Sequence, residues 1–343
     1  MRSSWIRFLA VFLVLLSSAC ASKEEPPERD FSKGNPNMMN KLKGRAKALL
    51  GEAEDAFKAH KYQEANAVYK LTAEAAEQEQ DVSIEVEALA MVARCYSIQH
   101  AREELGKPYL ERAREKASKD FPLGWTRYLG VRGIFERERG ESVKATETFK
   151  EMYEFANASA LPLRAIDAAH HIAIAAPPAE QIEWGKRGIA AAQEANSKGW
   201  LAALWNNLGA SHEELAQYGE AVAAYTKARE LHYEVSGEQA KLAADWALGH
   251  AYRLDGKLDQ AQELLDATLV WAERRYAEQP GPETAEWVGY TLQDLGELAA
   301  ARGETKTGLG ILESARLKWK EAGLDSHWPQ GFKKLEDRIA ELK

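Results

Sequence analysis

Eight histidines, two cysteines and an abundance of carboxylates set what chemistry this 343-residue chain could perform. His170 and His171 are the only adjacent imidazoles in the sequence. On a helix, successive side chains project in different directions, so the pair is not expected to converge on one metal ion. Glu213 and Glu214 follow His212, a grouping that could serve acid–base chemistry, but a working pair of carboxylates needs a pocket to hold it, and no pattern marks one. No His-Glu-x-x-His motif, cysteine pair or glycine loop fit to cradle phosphate occurs. Two cysteines, Cys20 and Cys95, cannot build a disulfide framework or a cysteine-rich zinc site. Cys95 reads as a small buried apolar residue beside Tyr96; one neighbouring cation, Arg94, is not enough to mark it as reactive. The residue types therefore predict no catalytic set, no metal and no cofactor, and point to a binding protein rather than an enzyme.

Net charge is −8. An acidic body argues against nucleic-acid partners, whose phosphates need clustered Lys and Arg. With 45% hydrophobic and 29% charged residues, the composition is that of a folded chain.

The N-terminus reads as an export signal over residues 1–19. Arg2 and Arg7 precede an apolar run from Phe8 to Leu16, too short to span a bilayer as a helix. The segment Leu16-Ser17-Ser18-Ala19-Cys20 resembles a bacterial lipobox, with Ser17 where Leu is usual three places before the cysteine. That resemblance implies lipidation of Cys20, attachment to the membrane through the lipid anchor, and, with Ala21 rather than Asp next, an outer-membrane lipoprotein facing the periplasm. Ordinary cleavage near Ala19, giving a soluble periplasmic protein, is the alternative. Residues 20–40, broken by Pro26, Pro27, Gly34 and Pro36, read as a flexible tether.

From residue 41 the sequence is helix-forming, and internal repetition sets its architecture. The clearest unit is Trp205, Leu208-Gly209 and His212, then Tyr218, Ala221, Tyr225 and Ala228. It resembles the tetratricopeptide (TPR) pattern, with His212 at a tyrosine position where it is expected to be packed. A small residue is followed twelve places later by another: Ala53 and Ala65, Gly133 and Ala145, Gly209 and Ala221, Gly249 and Ala261, Gly296 and Gly308. Four places further on come Tyr69, Phe149, Tyr225, Leu265 and Leu312. Small side chains let two antiparallel helices approach, and the bulky one is expected to fill the gap to the neighbouring hairpin. Gly140, Gly256 and Gly303 are expected in turns. A weaker unit has Ala93, Tyr96 and Tyr109, with Leu105 at its second small site; another, around Ala168 and Trp184, loses register at Pro177-Pro178. The long spacings resemble the extended repeats of kinesin light chains.

The expected fold is all-α, a right-handed TPR-type α-solenoid of about seven helical hairpins over 41–321. A C-terminal capping helix over 322–343 follows, with an apolar stripe of Trp328, Phe332, Leu335, Ile339 and Leu342. The resemblance implies a non-enzymatic scaffold that binds other envelope proteins in a concave groove lined by first helices. Mapped onto this chain, the groove positions are Arg94, Asn206, Asn207, Trp246, His250, Gln293, Asp294 and Glu297. Asn206 and Asn207 carry amides able to meet both the donor and the acceptor of an extended peptide. A periplasmic receptor for a small ligand or peptidoglycan fragment, with Trp200, Trp205 and Trp246 as an aromatic platform, is the second reading.

Overall fold

Turn chemistry organises the chain before packing does. Seven places after the first small residue of five repeats lies a residue with left-handed backbone: His60, Gly140, Ala216, Gly256 and Gly303, at φ 61, 80, 56, 76 and 83°. The amide of the next residue donates to the carbonyl five places back, as Gln217 does to His212 and Lys257 to Tyr252, both at 2.9 Å. This is the Schellman closure, and it satisfies carbonyls that the helix end would leave bare. Gln80, Ala160 and Asn196, at φ 59, 53 and 50°, make the same closure between hairpins.

The structure, a computed structural model, describes residues 44–98 and 103–343. The expected leader, the expected lipidation site Cys20 and the expected tether lie outside these residues. Among the described residues there are sixteen helices and no strand. Six successive pairs pack together: α1 (Arg45–Lys58) and α2 (Tyr62–Glu79); α3 (Val82–Ile98) and α4 (Glu103–Lys116); α5 (Pro122–Glu138) and α6 (Ser142–Ala158); then, after α7 (Pro162–Ala175) and α8 (Pro178–Glu194), which follow each other in sequence, α9 (Lys198–Glu214) and α10 (Tyr218–Val235); α11 (Glu238–Leu254) and α12 (Leu258–Glu278); α13 (Pro282–Ala301) and α14 (Thr305–Glu321). Two more, α15 (Leu324–His327) and α16 (Pro329–Glu341), end the chain. Among the described residues no helix is long and apolar enough to cross a membrane.

The helices divide into two compact units whose boundary falls between Ala176 and Pro177, in the link from α7 to α8. Pro177 and Pro178 supply the break where the repeat loses register, since neither offers a backbone N–H. The N-terminal unit is built on Tyr69, Leu89, Leu129, Phe135 and Met152. The C-terminal unit is built on Tyr225, Leu242, Leu265, Leu312 and Trp319, with Trp328, Leu335 and Ile339 of the last segment packed into the same core.

The small residues act differently from the expectation drawn from spacing. A Cβ added at Gly133 would lie 2.5 Å from the Phe149 ring; at Gly209, 2.8 Å from Tyr225; at Gly249, 2.8 Å from Leu265; at Gly296, 2.7 Å from Leu312. The bulky residue therefore fills a notch in the first helix of its own hairpin instead of the gap to the next one. In the last hairpin backbone meets backbone, where a Cβ on Gly308 would lie 2.8 Å from the Gly296 carbonyl oxygen. In the second pair the expected small site, Leu105, is half exposed. Gly106 takes its place, its added Cβ falling 2.8 Å from the Ala93 carbonyl oxygen, one residue later than the other repeats.

Candidate functional site

Burial sorts the polar side chains by helix. The buried carboxylates and the buried guanidinium among the described residues are Glu85, Glu87, Arg94, Glu136, Glu286 and Asp294, and all lie on first helices: α3, α5 and α13. Such groups stay in a covered setting only when partnered; Glu87, Arg94 and Asp294 find partners on other first helices of the same unit, whereas Glu85 pairs with Lys116 of α4 and Glu136 with Arg132 of its own helix and Thr148 of α6.

In the C-terminal unit the partners form one network. His250 of α11 places Nδ1 2.7 Å from Asp294 of α13 and Nε2 3.2 Å from Glu213 of α9. The Nε of Arg253 donates to the same Asp294 oxygen at 2.7 Å. Burial opposes a charge on His250, yet Asp294 and Glu213 overcome it and raise the imidazole to about 9. Asp294 is also buried, and His250 and Arg253 hold its carboxyl below the usual range. Trp246 stacks on the imidazolium with ring centroids 5.1 Å apart, a cation–π contact. Two cations and two anions cancel, and both imidazole nitrogens are committed. The network ties three successive first helices together and leaves no free base for catalysis.

In the N-terminal unit Arg127 of α5 reaches Glu54 of α1 at 2.6 Å and Glu87 of α3 at 3.6 Å. Glu87 also pairs with Arg164 of α7. Arg94 donates to Ser97 at 2.8 Å and to Glu138 of α5 at 3.1 Å. The rings of His170 and His171 lie 5.1 Å apart, centroid to centroid, inclined at 65°. His171 stacks on Phe149 at 4.8 Å and lies 3.4 Å from Asp167. Burial, then Arg137, lowers His170 to about 4, and burial also holds His171 well below the usual imidazole range. Cys95 is buried, and burial pushes its thiol up to about 12, which keeps it protonated.

The expected groove residues thus fall into distinct settings. Arg94, His250 and Asp294 sit inside ion pairs, and Glu297 pairs with Arg338 of α16 at 3.0 Å. Asn206, Asn207 and Trp246 are buried, whereas Gln293 is half-buried. His212 is buried as expected, with Nδ1 2.6 Å from Gln217. Sequence reasoning missed Arg253 and the ladder of Glu54, Glu87, Arg127 and Arg164, and it passed over Glu213. A usable signal existed, since Glu213 and Arg253 each stand four places after their repeat glycine, one turn along the same face.

A second feature of the C-terminal unit is aromatic. Trp246 lies 6.1 Å from Trp287 and 5.5 Å from Tyr290, centroid to centroid, and Tyr290 lies 5.2 Å from Trp319. Burial raises the carboxyl of Glu286 to about 8, against the opposing effect of the Tyr290 hydroxyl. The Oε1 of Glu286, and the Nε1 of Trp246 and Trp287, meet no hydrogen-bond partner.

No protein-family model matches the sequence, and comparison with curated proteins finds no match. Among solved structures the chain is similar to a signal-transduction ATPase with numerous domains and a tetratricopeptide repeat sensor from Pyrococcus horikoshii, with TM-score 0.62 and 15% identity over 89% of this chain. The chain spans only 45% of that protein's length. It is also similar to the kinesin light chain TPR-like repeats of Podosopora anserina, at TM-score 0.46 and 18% identity, covering 56% of this chain and 93% of that one. At such identities the first likeness is one of fold: the chain has the TPR-type helical fold.

Proposed function

We propose that the protein is a non-enzymatic interaction scaffold that binds protein segments along its first helices. The observation that carries this reading is the confinement of buried carboxylates and guanidinium to first helices, where Glu87, Arg94 and Asp294 pair with neighbouring first helices and hold them in register. A preformed, rigid row of polar groups costs a partner little ordering on binding. The saturated His250 network and the protonated Cys95 thiol agree with a binding role. Affinity capture with the native chain tests it. A specific protein partner, weakened by Gln293→Arg, is expected; failure to retain any defined partner across growth conditions would refute it.

The partners belong to the cell envelope in this reading, and the chain is held at the outer membrane, facing the periplasm, through lipid on Cys20. Its support is the segment Leu16–Cys20. Cys20→Ala is expected to move the protein from the membrane fraction to the soluble one and to abolish incorporation of labelled palmitate; unchanged fractionation and labelling would remove the anchor from the proposal.

A further inference from the structure

The aromatic cluster of the C-terminal unit holds polar atoms that the fold itself does not use. Glu286, Trp246 and Trp287 are 6, 4 and 5% exposed. One acceptor, Oε1 of Glu286, and two donors, the indole N–H groups of Trp246 and Trp287, are without partners. Each such atom costs about 1–3 kcal/mol when left unmet, and native structures rarely tolerate several together. Trp246, Trp287 and Tyr290 lie within one core cluster. Glu286 stands one helical turn before Tyr290 on α13, and the Tyr290 ring is 5.5 Å from that of Trp246 and 6.1 Å from that of Trp287. The planes of Trp246 and Trp287 are inclined at 73°, and those of Trp287 and Tyr290 at 67°. Steeply inclined rings with centroids this close can offer π-faces to one cation within the range of about 6 Å over which such attraction acts.

We infer that Glu286, Trp246, Trp287 and Tyr290 form a site for an α-ammonium group together with its adjacent carbonyl oxygen. The ammonium donates to Oε1 of Glu286 and lies against the rings, and the oxygen accepts from the two indoles. One ligand chemistry thereby meets the unmatched acceptor and both unmatched donors. Two sources carry it: a free amino acid, or the first residue of a peptide. The inference deepens the scaffold reading by naming the end of the segment that would be recognised. All four residues are less than a tenth exposed, so entry requires an indole ring to swing aside, a motion that tryptophan fluorescence reports.

Charge linkage adds a signature. The titratable groups that act on Glu286 are Tyr290 and Glu283, both on α13; beyond them, Arg275 of α12 acts on Glu283, His250 of α11 stacks on Trp246, and Lys318 of α14 lies beside Gly289. Burial keeps Glu286 protonated up to about pH 8, and pairing with an ammonium requires its ionised form. Affinity therefore rises with pH towards 8, then falls as the ligand's α-amino group, of ordinary pKa about 8, loses its own proton.

The test is calorimetry and tryptophan fluorescence on the full chain with alanine, alaninamide, tri-alanine and N-acetyl-alaninamide. Saturable binding of alaninamide, at least tenfold weaker after acetylation and strongest near pH 8, is expected. Tri-alanine binding better than alanine identifies a peptide terminus; the reverse identifies a free amino acid. Glu286→Gln should lose binding at least tenfold together with its rise towards pH 8, and Trp246→Phe should weaken it severalfold. If Glu286→Gln fails to fold, judged by circular dichroism, the acetylated probe on the native chain decides. No response to any amine, or equal response to the acetylated probe, overturns the inference and leaves the three atoms satisfied by water or not at all. Capture of a partner by a chain that ignores these amines would overturn this site alone and leave the scaffold reading standing.

Discussion

His250 shows how much one residue depends on its neighbours. Isolated on an α-helix it is an ordinary imidazole; between Asp294 and Glu213 it is a fixed cation. Its pKa is raised in the folded protein, so its contribution is complete below the unfolded value of about 6.5 and fades as pH rises through about 9. Replacing it by Gln removes the charge while keeping some hydrogen-bonding capacity. His250→Gln is expected to cost about 3 kcal/mol at pH 6, and much less at pH 9.5. Chemical denaturation at both values checks this, and a cost independent of pH would mean that the imidazole is not held as a cation.

At the scale of the helix pair, close packing and turn geometry can be tested separately. Gly209 lies against the flat of the Tyr225 ring, where a Cβ would fall at 2.8 Å. Gly209→Ala is therefore expected to destabilise by about 1–3 kcal/mol, although alanine is the better helix former. Gly51, also inside a helix, has open space around it, and Gly51→Ala should stabilise by about 0.5–1 kcal/mol. Opposite signs from one chemical change would isolate the notch from helix propensity; the same sign at both sites would refute it. Ala216 holds the left-handed turn position that is glycine in three other repeats, at φ 56°. An L-residue there is strained, so Ala216→Gly is expected to raise the melting temperature even though glycine loosens the unfolded chain. A lower melting temperature would show that the strain is smaller than that entropy cost.

Across the whole molecule, the two units carry opposite acid responses. In the N-terminal unit His170 and His171 stay neutral when folded, with His170 lowered to about 4. Their unfolded forms take up protons near pH 6.5, so stability there falls as pH drops from about 6.5 to 4. In the C-terminal unit His250 is raised to about 9 and Glu286 to about 8. Both shifts favour the protonated folded state, and stability there grows as pH falls from 9 towards 5. Scanning calorimetry of the full chain from pH 8 to pH 5 should show two transitions moving apart by about 5 °C or more. Limited proteolysis can assign the falling one to residues before Pro177. Two transitions moving together would contradict the assigned protonation states.

The repeat was legible in sequence because its physical cause is local. A helix pair of fixed length needs a notch, a turn and a bulky residue at set distances along one chain, so Gly249, Gly256 and Leu265 show the pattern without knowledge of the rest, whereas the left-handed turn at Ala216 emerged only from the structure. The absence of any recognisable catalytic motif, and the break at Pro177-Pro178, were legible for the same reason. The candidate groove residues were found by position on the helix, but their settings were not. Asp294 is 44 residues from His250 and 41 from Arg253, and Glu54 is 73 from Arg127. Which charge meets which is fixed only when successive first helices come side by side, and sequence spacing between repeats of unequal length does not encode that alignment. The same holds for Glu286: as a letter it is one carboxylate among 53 acidic residues, and only the closing of aromatic rings around it turns it into a buried acid.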